Sequence, residues 1–358
     1  MGNIFTKKNN TKNNHSDDYD TFTVCTLNTR LARSATYKEK ISILTDFIFD
    51  SNYDVICLQG INDYKLLRLI VKSIFIRNST TNDSRKLTTY PLIETFYVVA
   101  NGDINGDILK VTWSNSDDTN LSEISSLIIT KHNIISGTKI VTLQSFSEKD
   151  KNFYLVNIDF NGVLISICNA TLQNDFIGIS NFPVRKIQIN QLRDTILQNN
   201  DHIKSDDIHK NYVYRNINII CCQANINELF NNDINEEYLY LTRTLKALDS
   251  FRYVKTIKGK SVDFADSTSV GGARSNYILL TNLNTQDFND IKSIYKTLYS
   301  DQKIIIINSI VEPEIHSYDD YPVVTTLMIR KISDSEKLLL SQKLLLSQND
   351  DDIAIEIR

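Results

Sequence analysis

Apolar residues along this chain recur with two periods that alternate. Short runs rich in β-branched and aromatic residues read as strands, at Phe22 to Leu27, Asp54 to Leu58, Phe96 to Ala100, Ile108 to Trp113, Ser126 to Thr130 and Val213 to Asn225. Between them, apolar positions fall on one helical face. Tyr37, Ile41, Leu44 and Ile48 mark such a helix, opened by Thr36-Tyr37-Lys38-Glu39 as a capping box. A second helix spans about Asn62 to Ile74, and a third carries Val184, Ile187, Leu192 and Ile196 with Pro183 near its first turn. A helix from about Glu236 to Leu248 and a strand from Phe251 to Ile257 follow.

Punctuation supports this division. Asn161-Gly162 separates FYLVNIDF from VLISICNA, and an Asn-Gly pair between apolar runs predicts a hairpin whose turn needs positive φ at both residues. Gln59-Gly60 is expected to halt its strand with a polar turn, and residues 77 to 91 form a polar loop. Alternating strands and amphipathic helices predict an α/β protein with mixed sheets covered on their outer faces.

Length and hydrophobic content, 358 residues and 41%, suit one main domain with tails. A net charge of -4 and a pI near 5.8 show no broad basic field, which counts weakly against nucleic acid as a partner. The bias towards Asn, Ile, Lys and Asp, with 10 Gly and 4 Pro, fits an A/T-rich genome such as that of a large DNA virus or a protist. Cys25, Cys57, Cys168, Cys221 and Cys222 all sit in apolar runs without Cys-x-x-Cys spacing, so they read as buried reduced thiols and not as zinc ligands. With no signal peptide and no run near the ~18 apolar residues of a membrane span, an intracellular, unsecreted protein is expected. Asn78, Asn120 and Asn169, which match the glycosylation pattern, should then be idle.

The ends differ from the middle. MGNIFTKK places Gly2 and Thr6 in an N-myristoylation pattern, with Lys7, Lys8 and Lys12 as a weak second membrane signal. A chance Met-Gly start on a disordered leader, residues 1 to 20, is the alternative. From about Lys331 to residue 358, Ser333-x-x-Glu336 precedes two tandem copies of KLLLSQ and an acidic tail. The six-residue repeat holds no heptad seam and reads as a duplication in an appended helix more readily than as a dimerisation zipper.

Seven segments then carry a resemblance. TVCTLNTR with Asn28, DVICLQGIND with Gly60, SSLIITKHNIISG with Lys131 and His132, and NATLQND with Thr171 stand in order. CCQAN with Gln223 and Asn225, GGARSNYILLTN with Asn276, and SYDDYPVV with Asp319 and Asp320 complete the series. Together, over roughly residues 21 to 330, they resemble the endonuclease/exonuclease/phosphatase superfamily of metal-dependent phosphodiesterases. The resemblance implies a DNase I-like, four-layer α/β/β/α sandwich of two mixed sheets. It also implies a magnesium ion on a glutamate and a histidine, oriented by an aspartate, that activates water.

Against that pattern the chain differs at five positions. Gly60 stands for the metal glutamate, Thr171 for the first histidine, Gln223 for one aspartate, Asn276 for another, and Asp320 for the final histidine, while Asn28, Asn225 and Asp319 persist. Hard magnesium needs oxygen donors, preferably ionised, and in-line attack on a phosphodiester needs a placed base. The expectation is therefore an inactive member of this fold, needing no cofactor, that serves as a binding or structural module, held at a membrane surface if Gly2 is acylated. The alternative is an active magnesium-dependent phosphodiesterase acting on nucleic acid or a phospholipid headgroup, with Asp63, Asp320 or His316 as displaced groups.

Overall fold

The structure, a computed structural model, describes residues 18–31, 36–61, 66, 69–70, 72–74, 97–100, 126–143, 151–175, 180–205, 212–230, 233–259, 268, 274–281, 304–312 and 320–339. Its elements begin with β1 (Tyr19–Leu31), α1 (Tyr37–Ser51), β2 (Val55–Ile61), β3 (Tyr97–Ala100), β4 (Ser126–Thr130) and β5 (Ile134–Leu143). There follow β6 (Lys151–Phe160), β7 (Val163–Thr171), α2 (Phe182–Ser205), β8 (Val213–Gln223), β9 (Leu229–Phe230), β10 (Asp233–Ile234) and α3 (Glu236–Thr244). The last are β11 (Ala247–Asp249), α4 (Ser250–Ile257), β12 (Asn276–Thr281), β13 (Ile304–Val311) and β14 (Val323–Arg330).

Two six-stranded sheets dominate, ordered β13-β14-β1-β2-β4-β3 and β11-β12-β8-β7-β6-β5. Each holds one parallel pair at its centre, β1 with β2 and β7 with β8, and antiparallel neighbours on both sides. Parallel strands need a long crossover, and α1 and α2 supply it. Apolar residues are buried in three layers. Phe22, Val24, Cys57 and Ile128 of the first sheet meet Tyr154, Ile165, Ile219 and Ile278 of the second between the sheets. Cys25, Leu27, Ile56 and Leu58 point the other way, onto Ile41, Leu44 and Ile48 of α1 and onto Leu66, Ile70 and Ile74. Leu155, Cys168 and Ile220 face Ile189, Leu192 and Ile196 of α2 and Leu241 of α3. This is the expected four-layer α/β/β/α sandwich, and the strands are apolar almost throughout because both faces of each sheet are covered.

Several local expectations hold. Asn161 and Gly162 turn between β6 and β7 with φ of 52° and 82°. Ser333 and Glu336 cap each other: Ser333 N donates to Glu336 Oε2 at 2.8 Å and Glu336 N donates to Ser333 Oγ at 3.3 Å. All five cysteines are free and buried. Asn169 is fully buried and bonded to backbone, which seals it from glycosylation in the folded chain.

Others do not hold. The segment from Phe251 to Ile257 is helical, not extended, because Asp249 caps α4 by accepting from the backbone N–H groups of Phe251 and Arg252 at 3.1 and 3.4 Å. Its buried Ser250, Phe251 and Val254 follow the helical spacing. The helix expected to reach Leu248 stops at Thr244, where Lys246 at φ 45° turns the chain into β11. Thr36 makes no side-chain cap hydrogen bond, so the first capping box does not form. Gln59-Gly60 does not end its strand, since β2 continues to Ile61, and β1 runs past Asn28 to Leu31. β13, whose sequence is IIIINSIV, was not anticipated. The loop at 77 to 91, the strand at Ile108 to Trp113, Gly2 and the basic leader, Asp63, Asn78, Asn120, His316, Asp319 and the KLLLSQ copies beyond Leu339 lie outside the described residues.

A candidate functional site at the strand tips

Strand register aligns the singled-out residues. In the first sheet Asn28 pairs with Gln59 and Gln59 with Ser126; in the second Thr171 pairs with Gln223 and Gln223 with Asn276. Side chains alternate along a strand, so each shares the face of the inter-sheet residues two positions away, such as Cys57, Ile128, Cys221 and Ile278. Both rows therefore lie at the tip of the inter-sheet space. A buried amide pair joins them: Gln59 Nε2 donates to Asn169 Oδ1 at 2.7 Å, and Asn169 Nδ2 donates to the carbonyls of Leu58 and Leu127 at 3.0 Å each. Thr268 makes a second bridge, taking Ser275 N on Oγ1 at 3.0 Å while its carbonyl accepts Tyr321 N at 2.8 Å.

Asp320, three residues before β14, completes the tip. It is fully buried, and it accepts from Asn28 Nδ2, from Arg30 Nε at 2.8 Å and from a terminal nitrogen of Arg30 at 3.1 Å. Gly60 lies beside this cluster with φ 71°. A Cβ there would collide with Asn28 Oδ1 and stand 2.8 Å from Arg30 N, so the space that a side chain at this position would need belongs to Asn28 and Arg30. Asn225, at φ 53°, accepts from Gln223 Nε2 at 3.1 Å and donates to the Leu172 carbonyl at 2.6 Å. The tip thus gathers Asn28, Gly60, Thr171, Gln223, Asn225, Asn276 and Asp320.

Magnesium does not fit this donor set. Gly60 offers no oxygen, Asn28 Oδ1 faces the N–H of Arg30 at 3.2 Å, and both Asp320 oxygens are engaged by N–H donors. Among the described residues no three His, Cys, Asp or Glu side chains group as metal ligands. Instead, polar atoms are buried at the tip without a hydrogen-bond partner among the described residues: both side-chain atoms of Asn276, Thr171 Oγ1, Ser126 Oγ and Gln59 Oε1.

Sequence reasoning missed two arginines. Arg30 is one, although it stands only two residues after Asn28. Arg274, two residues before Asn276, is the other. It is buried, pairs with Asp249 at 2.6 and 2.8 Å and with Glu228, and lies over the rings of Phe251 and Tyr277 at 4.7 and 4.8 Å. Arg252 joins Glu228 from the other side at 2.9 Å. Burial pushes the Glu228 carboxyl up, and the arginines only partly offset it. This ion cluster anchors the start of β12 and with it the position of Asn276.

Lys131 and His132 fall at the opposite end of the sheet, beyond the last residue of β4. There His132 Nε2 lies 3.0 Å from Asp54 Oδ1, and Thr23 donates to Asp54 Oδ2 from its backbone N–H and its hydroxyl at 2.7 Å each. Burial raises the Asp54 carboxyl, but the bonds from His132 and Thr23 outweigh it and hold the group below the ordinary carboxylate value.

No protein-family model matches the chain, and no curated protein matches it in sequence. Solved structures do match in fold. Sphingomyelinase C from Streptomyces griseocarneus superposes with a TM-score of 0.53 at 13% identity, over 86% of this chain and 99% of that one. An endonuclease/exonuclease/phosphatase family protein from Bacteroides thetaiotaomicron gives 0.50 at 9% identity, over 87% and 98%. The human nocturnin catalytic domain, solved with a bound sulfate anion, gives 0.50 at 11% identity, over 86% and 97%. The fold is therefore the DNase I-like sandwich of the endonuclease/exonuclease/phosphatase proteins, in a form far diverged in sequence. Among the described residues no helix is long and apolar enough to cross a membrane.

Proposed function

We propose that this DNase I-like sandwich is catalytically inactive and acts as a binding or structural module, brought to a membrane surface by acylation of Gly2. One observation carries the first half: the place of the resemblance's metal glutamate is Gly60, and the volume beside it is filled by Asn28 and Arg30. Phosphodiester hydrolysis needs positive charge at the phosphoryl oxygens and a base at the water. Among the described residues the tip supplies neither in usable form. Its carboxylate, Asp320, has its oxygens bound to Asn28 and Arg30. The described histidines stand elsewhere: His132 is paired with Asp54 at the far end, and His202 lies in the last turn of α2, which leads to the start of β8 and away from its tip. The membrane half rests on Gly2, Thr6 and the nearby lysines.

The test is direct. Purified protein is incubated with plasmid DNA, single-stranded DNA and sphingomyelin vesicles, with magnesium or manganese. The expected result is no turnover above a Gln223→Ala control. Metal-dependent hydrolysis that Asp319→Ala or Asp320→Ala abolishes would instead establish an active phosphodiesterase. For the membrane half, an alkynyl myristate label should enter wild-type protein in cells and not Gly2→Ala, and only the labelled protein should float with vesicles.

A further inference from the structure

We infer that the Arg30 guanidinium is the resident cation of the strand tips, holding the Asp320 carboxylate in place of a divalent ion, so that this cleft is built to stand without metal. The inference rests on the proposal that the tips are inactive, and it says what replaced the lost chemistry.

Asp320 has no exposure to solvent, and a carboxylate buried without a counter-charge is among the costliest groups a fold can hold. Arg30 meets it with two nitrogens, Nε at 2.8 Å and a terminal nitrogen at 3.1 Å, in the fork geometry that matches a carboxylate. The backbone is arranged for this contact. Arg30 takes φ 41°, a left-handed conformation that is unfavourable for a non-glycine residue, and the pairing of β1 with β2 slips between Asn28 and Leu31 to allow it. Gly60 is the third part: any Cβ there meets Asn28 Oδ1 and stands 2.8 and 3.2 Å from the N and Cα of Arg30. A residue with a side chain at position 60 and the present path of Arg30 exclude each other. An ordinary surface ion pair would explain none of this, and such pairs join two exposed groups, whereas here one partner is half exposed at 51% and the other sealed at 0%. Removing the guanidinium takes the paired charge from a buried carboxylate, which removing both partners does not.

The chemistry differs from a metal site in one respect that matters. A guanidinium stays protonated and neutralises a carboxylate, but it has no open coordination position at which to bind and acidify water. Among the described residues the tip thus presents a neutral ion pair and uncharged amides.

Two measurements on the full-length protein test the inference. In titration calorimetry with magnesium and with manganese chloride, no saturable binding that depends on Asp320 is expected. In a double-mutant cycle by chemical denaturation, Arg30→Gln should raise the unfolding constant on the order of 10-fold or more, and adding Asp320→Asn should restore most of the loss. Arg30→Gln that fails to fold while Arg30→Gln/Asp320→Asn folds shows the same coupling. Additive effects of the two substitutions, failure of the double variant to fold, or saturable metal binding abolished by Asp320→Asn would each overturn the inference. The two proposals fail separately: metal binding at Asp320 without turnover defeats this one alone, and turnover indifferent to chelator defeats only the inactivity of the tips.

Discussion

Gly60 and Asn28 cannot both keep their present positions if residue 60 acquires a side chain, because its Cβ would overlap Asn28 Oδ1. Restoring the glutamate of the resemblance at this position therefore does not restore a metal site. Gly60→Glu is expected to cost roughly 2–5 kcal/mol, from overpacking together with the left-handed φ of 71°, and to confer no magnesium binding. Gly60→Ala should show most of the same loss. Denaturation midpoints with calorimetry check this, and a stable, magnesium-binding Gly60→Glu variant would contradict it.

Arg274 is the central cation of the buried cluster with Glu228 and Asp249. Arg274→Met leaves both carboxylates underpaired in the interior, and about 3–5 kcal/mol of stability should be lost. Guanidinium denaturation measures it; a variant within about 1 kcal/mol of wild type would show that the cluster is not a structural anchor.

Asp54 makes stability depend on acid. Its carboxyl lies lower in the folded chain than in the unfolded one, so its contribution is present above the unfolded value of about 4 and is lost as pH falls through the folded value. Asp54→Asn should therefore destabilise at pH 7 by about 1.5–3 kcal/mol, the scale of a charged hydrogen bond, and the gap should narrow below pH of about 4. Urea melts of both proteins across that range decide the matter, and a gap that widens in acid would refute it.

Asn276 buries an amide with both atoms unpartnered among the described residues. Such a group costs free energy that an apolar residue of similar shape does not. Asn276→Leu should leave stability unchanged or raise it by about 1 kcal/mol. A loss larger than about 1 kcal/mol, read from thermal or denaturant midpoints, would mean that the amide is bonded in solution.

Much of the sandwich could be read along the chain because its physics is local. Runs such as FYLV and LISIC carry apolar residues on both faces, the Asn161-Gly162 turn needs φ values that these residue types tolerate, and α1 and α2 repeat their apolar residues with the helical period. Where local signals compete, the reading failed. FRYVKTI carries the aromatic and β-branched residues of a strand, and the Asp249 cap made it a helix. The departures from the resemblance's pattern at Gly60, Thr171, Gln223, Asn276 and Asp320 were also plain in the residue types.

The sequence alone thus determined which kinds of element form, in what order, and which residue types stand at the strand ends. Tertiary structure decided what those residues touch. Arg30 and Asp320 are 290 positions apart and Gln59 and Asn169 are 110 apart, and nothing in the spacing of either pair marks it as a partnership. Such contacts depend on the register of β1 against β2, on the packing of one sheet over the other and on the backbone at Arg30 and Gly60. Those quantities exist only once the whole sandwich has closed, because each is set by residues from distant parts of the chain held within a few ångströms.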